Sequence, residues 1–468
     1  MRGTVAAVDL GAATGRVFIG TVEGGRIRVE PVTRFANVPL AMADGFHWNI
    51  TAIWAEVVGG LRMANRRSDA LQSVGIDTWG ADYSLFRSGR LLGLPFTYRD
   101  LRGERGAALT HGTVRPEELY RRNGLESLPF NSLYQLAVDR DEGITAVADA
   151  LLFTPDTIGY WLTGRIATEP TIASTSGLLD ARTRSWDREL VRTLELPEGL
   201  LPPILEPGEE LGPLVGPCAY AVGRADGLLV RKVASHDTAA AVIGTPLAER
   251  GAAYLSCGTW ALLGVEMRAP LLTERARVER FTNEAGPDGR VLFQKNLMGL
   301  GMVNDLVSEA PELELPAILA AAAEVRLRSD QLIDPADPLF LRPGPTSGAM
   351  REWFRLRGIG APATIPAMVR CVLESLAEAF AAAVRALEDI TGEPVPSVHI
   401  VGGGSQNQLL CQATADRMGK PVIAGPVEAS VIGNVLVQAR AMGLVHGGLA
   451  ELREVVRGSF PLTRYDPR

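Results

Sequence analysis

A carboxylate followed by small residues stands out at Val5–Thr21. Asp9 ends an apolar run, and Gly11, Ala12, Ala13, Thr14, Gly15 and Arg16 follow before apolar residues resume at Val17 and Ile19. The apolar positions repeat at period two on both sides, which predicts strand, tight turn, strand. Such a turn lets backbone N–H groups approach an anion. Asp9 suits a metal ion or its waters, and Thr14 and the turn amides suit phosphate oxygens. An ordinary glycine hairpin has the same outline, so this stretch alone leaves both readings open.

Further carboxylates follow strand-like runs. Val74–Asp77 leads into Asp77-Thr78-Trp79-Gly80-Ala81-Asp82, two acids and a Trp around a glycine, placed where α/β folds put ligands. Leu228–Ala234 leads into Ser235-His236-Asp237-Thr238 and a helix of small residues at Thr238–Ile243. Asp237 near a helix start is either an N-cap or a base that accepts a hydroxyl proton. At Ser256-Cys257-Gly258-Thr259, between two predicted strands, the opening hairpin recurs without its Asp and Arg. Strand Val398–Val401, the glycines Gly402, Gly403 and Gly404 and a helix over Gln408–Met418 form a nucleotide-site shape. The chain has neither a GxGxxG fingerprint with its acidic partner nor a GxxxxGK[ST] loop.

The elements that must position these residues alternate in an α/β pattern. The first strands form a meander ending near Phe35. Trp48–Asn65 and Pro366–Glu388 carry apolar stripes at helical spacing, and the second stops at Gly392 and Pro394. Leu200–Gly216 reads as a long surface loop, and the helix over Glu428–Met442 either closes an adenine pocket or packs beneath it. The 468 residues exceed one core, and the pattern restarts after Pro246–Gly251. Two domains are expected, 1–245 and 246–468.

The formal net charge of −7 argues against nucleic-acid binding. No apolar run is long enough to span a bilayer. The start shows no secretory pattern. The four cysteines fit neither a zinc cluster nor a disulfide scaffold. A cytoplasmic location is expected, and the oligomeric state stays open.

The three turns, in this order and spacing, resemble the phosphate-one, phosphate-two and adenosine motifs of the actin/hexokinase/Hsp70 ATPase superfamily, in its FGGY carbohydrate-kinase family. VDLGAATGR (Val8–Arg16), GIDTWGADY (Gly75–Tyr83), LPFNSLYQL (Leu128–Leu136), ASHDTAAAVI (Ala234–Ile243), FTNEAG (Phe281–Gly286), KNLMGL (Lys295–Leu300), IVGGGSQN (Ile400–Asn407) and AGPVEAS (Ala424–Ser430) carry the resemblance over almost the whole chain. They are most similar to the branch of the family that phosphorylates L-rhamnulose.

The resemblance implies an α/β fold of two RNase H-like (actin-like ATPase) domains, each a mixed sheet flanked by helices, with an interdomain cleft. It implies an ATP- and Mg²⁺-dependent transfer to the 1-hydroxyl of L-rhamnulose, giving L-rhamnulose 1-phosphate in L-rhamnose catabolism. Asp237 then matches the catalytic base. Gly80 and its neighbours, among them Asp82, match sugar contacts, as do His236, Thr238 and Asn296. Ala12, Ala13, Thr14, Gly15, Arg16, Thr259, Asn304, Gly402 and Gly403 match ATP contacts, and Asp9 the magnesium position, through water. The sequence departs from the family pattern at Ala13, where relatives carry a hydroxyl, at Cys257 for serine, and at Gly301 and Asn304 for Trp and Gln. The competing expectations are a kinase for another ketose (L-fuculose, L-ribulose or D-xylulose) and a non-catalytic ATP-binding sensor.

Overall fold

A computed structural model describes residues 2–68, 70–224, 227–341 and 344–468. The chain divides into two compact units. The first comprises 1–246, 266–293 and 428–459; the second comprises 247–265, 294–427 and 460–468. Two segments of the second half of the chain therefore belong to the first unit.

The first unit is built on a six-stranded sheet in the order Glu210–Pro213, Leu229–Arg231, Leu71–Thr78, Arg2–Leu10, Thr14–Glu23, Arg26–Ala36. The opening hairpin is the expected one, with Asp9 opposite Arg16 in antiparallel register. Leu71–Thr78 runs parallel to Arg2–Leu10 and sets Asp77 beside Asp9. From Gly3 to Leu10 every residue is buried, because helices cover both faces of this central strand. On one face Ile50–Arg67, capped by the Asn49 side chain, packs Ile53, Val57 and Leu61 onto Ala6, Val8 and Leu10. On the other lies Ala429–Ala441, whose Gln438 donates to the Ala6 carbonyl at 3.0 Å. The stretch expected as a loop at 200–216 instead contributes the edge strand Glu210–Pro213, paired with Leu229–Arg231.

Two helices of the first unit meet backbone to backbone. Asp237–Gly244 and Ala429–Ala441 touch where Gly433 faces Ala240 and Gly244 faces Ala429. A Cβ on Gly433 would lie 1.9 Å from the Ala240 oxygen, and one on Gly244 2.1 Å from the Ala429 oxygen. This contact fixes the helix that begins at Asp237 relative to the one that begins beside Ser430.

The second large sheet has seven strands in the order Phe281–Ala285, Val291–Met298, Trp260–Met267, Ala253–Cys257, Val398–Val401, Val422–Ala424, Thr463–Tyr465. The helix Ile365–Thr391 runs from the Thr364 cap to Gly392 at φ 70°, and its stripe from Val369 to Leu387 is buried as the periodicity predicts. No helix among the described residues is long and apolar enough to cross a membrane.

The glycine contact sets a test. Gly433→Ala gains about 1 kcal/mol of helix propensity. At 1.9 Å from a carbonyl oxygen the overpacking cost, roughly 1–3 kcal/mol or more, exceeds that gain. Urea denaturation is expected to show a net loss of stability, and a gain would contradict the packing.

Candidate functional site

The Asp9 turn is drawn into a network by the helix Ala429–Ala441. Asp9 Oδ2 accepts hydrogen bonds from Arg16 Nη2 at 2.6 Å and from Ser430 Oγ at 2.8 Å. Arg16 is also paired with Glu428. One turn along the helix, Asn434 Nδ2 donates to Asp77 Oδ2 at 2.6 Å, and Gln438 accepts from Ser73 Oγ at 2.6 Å. Gly75 has no side chain because Asn434 lies over it; a Cβ there would be 2.4 Å from Asn434 Oδ1. The other oxygen of Asp77 is buried without a hydrogen-bond partner. Burial, and then the charge of Asp9, raise the Asp77 carboxyl well above the ordinary carboxylate range. In the turn itself, Gly11 N donates to Thr14 O and Asn37 N to Ala13 O, both at 2.9 Å. Gly15 is required there, since a Cβ would fall 2.2 Å from the Phe35 ring.

Asp237 is the first residue of its helix, and the N-cap position belongs to His236. The capping reading of Asp237 therefore does not hold. Its side chain is 32% exposed, whereas that of Asp9 is 3% exposed and Asp77 and Asp82 are fully buried. Of these four acids, Asp237 is the one a solute can reach. Its carboxyl is pushed up to about 6 by burial, with Asp9 adding to the rise and His236 opposing it. The neighbouring Thr238 is buried and its Oγ1 donates to Asp237 Oδ1 at 3.3 Å.

The backbone leading to Asp237 is held from below. Glu169 is fully buried, and its Oε1 accepts from Ser235 N at 3.1 Å, Ile172 N at 2.8 Å and Thr171 Oγ1 at 2.5 Å. Thr171 Oγ1 in turn accepts from His236 N at 3.2 Å. Thr78 N donates to Ser235 O at 2.8 Å, which extends the sheet to the helix start. The His236 imidazole lies 2.9 Å from Glu284 Oε2 through Nδ1 and 3.5 Å from Asp237 Oδ1 through Nε2.

The Asp77–Asp82 run splits its roles. Gly80 is half-buried and packed against Thr175, 2.9 Å from where its Cβ would stand. Ala81 takes φ 70°, held by Thr175 Oγ1 on its N–H and by Ser132 Oγ on its carbonyl. Asp82 does not face solvent. Its Oδ2 accepts from Trp48 Nε1 at 2.6 Å, Trp79 Nε1 at 2.9 Å and Tyr98 N at 3.1 Å, and its Oδ1 accepts from Gln135 Nε2 at 3.1 Å. Burial raises its carboxyl to about 6, opposed by these donors. Asp82 thus gathers two indoles, Tyr98 and the Leu128–Leu136 run around the Gly80 loop.

In the second unit three turns converge. Gly402 takes φ 78°, and a Cβ on it would be 2.9 Å from the Cys257 carbonyl oxygen; one on Gly404 would be 2.6 Å from Cys257 Sγ. Leu300 N donates to Gly258 O at 2.7 Å, and Gly299 N and Gly301 N to Thr259 O at 3.2 Å. Gly301 opens the helix Gly301–Ser308, with Asn304 on its first turn. A Cβ at 301 would stand 3.1 Å from Thr259 Cγ2, so a larger residue there would press on this turn. Thr259, Gly402, Gly403 and Asn304 therefore belong to one turn cluster. Asn296 lies half-buried on Val291–Met298 of the same unit.

Four site-facing residues were missed by sequence reasoning: Glu284, Glu428, Ser430 and Asn434. The FTNEAG and AGPVEAS runs contained three of them as pattern without a role. Ser430, Asn434 and Gln438 share an i, i+4 polar stripe inside an otherwise apolar helix, a signal that the helix faces buried polar groups rather than a plain core.

The N-terminal domain model of the FGGY family of carbohydrate kinases matches residues 4–244, and the C-terminal domain model matches 253–442. The chain is 36% identical over 466 residues to the rhamnulokinase of Bacteroides thetaiotaomicron, covering 99% of this chain and 95% of that protein. It is 38% identical over 471 residues to the rhamnulokinase of Pectobacterium carotovorum subsp. carotovorum, covering 99% and 93%. Among solved structures it superposes on a gluconate kinase from Lactobacillus acidophilus with TM-score 0.82 at 16% identity, covering 100% of this chain and 94% of that one. Plasmodium falciparum glycerol kinase with ADP gives TM-score 0.79 at 14% identity, covering 100% and 94%. These structures share its fold, the two-domain actin-like architecture expected above.

The raised Asp237 carboxyl has a cost with a definite sign. Its folded value, about 6, exceeds the ordinary 3.8. The folded protein therefore binds the proton more tightly, and stability falls as pH rises from about 4 through 6. Asp237→Asn removes that loss. Thermal unfolding is expected to give a higher midpoint for Asp237→Asn than for the parent at pH 8 and no gain at pH 4. An equal shift at both pH values would contradict the assignment.

Proposed function

This chain belongs to the FGGY family of carbohydrate kinases, and on that premise we propose that it transfers the γ-phosphoryl group of ATP to the 1-hydroxyl of L-rhamnulose in L-rhamnose catabolism. The observation that carries the reading is Asp237: a partly exposed carboxylate on a helix start fixed from three sides, titrating close to neutrality, as a general base requires. The rhamnulokinase relatives along nearly the full chain support the sugar. In this reading 1–245 carries the base, the first phosphate turn and the sugar site apart from Asn296, and 246–468 carries the second phosphate turn and the adenosine site.

The chemistry follows from the residues. Asp237 aligns the sugar hydroxyl and takes its proton as the oxygen attacks the γ-phosphorus. The bond from that phosphorus to the β-bridging oxygen breaks, and ADP leaves. Gly80 lets the sugar approach the backbone, and His236, Thr238 and Asn296 complete its contacts, with Asp82 holding the aromatic wall in place. Ala12, Ala13, Thr14, Gly15 and Arg16 receive phosphate oxygens. Arg16 turns toward them by leaving Glu428 while Asp9 keeps its second amine. Thr259 and the Gly402–Gly403 turn hold the nucleotide, with Asn304 beside them.

Magnesium fits this donor set. Asp9 and Asp77 are hard oxygen donors side by side, and the unpartnered Asp77 oxygen marks a shortage of positive charge there. Asp9 would hold the ion through water, and the ion when bound neutralises charge on the polyphosphate.

The test is ADP release across L-rhamnulose, L-fuculose, L-ribulose and D-xylulose, with and without Mg²⁺. A preference for L-rhamnulose that requires Mg²⁺ is expected. Faster turnover of another ketose would replace the sugar and keep the mechanism, and absence of sugar-dependent ADP would favour an ATP-binding sensor. Asp237→Asn is expected to lower kcat by about 10²–10⁴-fold while leaving sugar binding by calorimetry intact. Equal losses in binding and rate would give Asp237 a positioning role instead.

A further inference from the structure

Glu284 has no part in that transfer, yet it reaches the base through one intervening side chain. It lies on Phe281–Ala285, a strand buried throughout. Its neighbours are tied down. Asn283 Nδ2 donates to the carbonyls of Gly124 and Leu271 at 3.2 Å, and Ala285 N donates to Ser174 Oγ at 3.0 Å. The Glu284 carboxylate is therefore delivered to a fixed point, 2.9 Å from Nδ1 of His236. The other ring nitrogen, Nε2, faces Asp237 Oδ1 at 3.5 Å. Both carboxylates stand within ion-pair distance of the ring. Neither contact has hydrogen-bond geometry, since His236 Nδ1 and Glu284 Oε2 are both without such a partner, so the link is one of charge: an imidazolium is attracted to both carboxylates, a neutral ring to neither.

We propose that Glu284 is a positioning residue that keeps His236 as an imidazolium beside Asp237, so that the charge on His236 holds the catalytic carboxylate ionised at neutral pH. The inference rests on the reading of Asp237 as the base. Acidic groups surround His236 from each element packed on it: Glu284 on its strand, Glu169 at the start of Pro170–Ser174, and Asp237 on its own helix, with Asp9 on the first sheet acting on Asp237. Burial works against the charged ring, and these carboxylates, Glu284 foremost, outweigh it and bring His236 to about 9. At Asp237 the balance runs the other way. Burial and Asp9 favour the protonated acid, and the charge on His236 opposes them more strongly than any other group. Neutralising the ring at neutral pH would leave Asp237 protonated over more of the working range, and a protonated Asp237 cannot take the sugar's proton.

The experiment compares the parent enzyme with Glu284→Gln, measuring kcat/KM for the ketose at saturating MgATP from pH 5 to 9. The parent's acidic limb is expected near 6. In Glu284→Gln it is expected to move up by about one pH unit, with about fivefold lower activity at pH 6 and recovery toward the parent by pH 9. A uniform loss at every pH with an unmoved limb would reduce Glu284 to a structural role and overturn the proposal.

NMR of ring-labelled histidines gives a readout that needs no variant to be active. The chain has five histidines, and the His236 signal is assigned by its loss in His236→Asn. The parent is expected to keep His236 charged through pH 8. A neutral His236 at pH 7.5 in the parent overturns the proposal even if Glu284→Gln fails to fold. Asp237→Asn separates the two readings. Parent-like turnover in that variant would remove Asp237 as the base, while the NMR titration would still report the Glu284–His236 pair.

Discussion

A carboxylate taken out of water must be met by donors or cations, and the first unit is arranged to meet several of them at once. Asp9 receives Arg16 and Ser430, Asp77 receives Asn434, and Asp82 receives two indoles, an amide and Gln135. Glu169 receives two backbone amides of its own helix and one from Ser235. An unpaired buried charge costs several kcal/mol, so each of these partners is a strong constraint on where its element can lie. The strand ends, the helix starts and the glycine contacts between helices follow from supplying those donors. Asp237 is the acid left with fewer partners and more water, and that difference distinguishes the reacting group from those that hold it.

The same constraint explains how much of the site was legible in the sequence. The hairpin around Asp9 could be read because period-two burial and a glycine turn are local patterns. The long helix to Gly392 could be read because its stripe and its stop signal lie within its own residues. Asp237 could be named through the motif around it, although its local pattern left cap and base open. The structure removes the cap by giving that position to His236. What could not be read is pairing at long range. Glu284 meets His236 across 48 positions and Ser430 meets Asp9 across 421, and no local periodicity records such a partner. Asp82 shows the converse. An acid beside Trp and Gly looks like a ligand contact, and only the four donors around it show that its charge is spent inside the protein.

The turns of the second unit show how closely small residues pack there. Gly301 stands where the family resemblance leads to an expected Trp, and its place against Thr259 is tight, with little room before the Thr259 methyl is reached. Cys257 stands where the resemblance leads to an expected serine, and Gly402 and Gly404 leave no room for a Cβ beside its carbonyl and sulfur. The Cys257 thiol is raised to about 12, by burial first and then by Cys411. A neutral thiol of that kind behaves as a small apolar filler, so the turn keeps its shape with a different atom in the gap.

The first unit is discontinuous along the chain, and a ribosome delivers a chain in order. Residues 1–246 supply both Asp9 and Asp77, but Ser430 and Asn434 follow almost two hundred residues later. Until then the central strand lacks the helix that covers one of its faces. During synthesis the nascent first unit is therefore without that helix until a segment made near the end of the chain emerges. A chain that stops before residue 428 would lack the Ser430 donor to Asp9 and the Asn434 donor to Asp77 and leave that sheet face bare. Translation thus reaches the far end of the chain before the enzyme's first turn can take its working form.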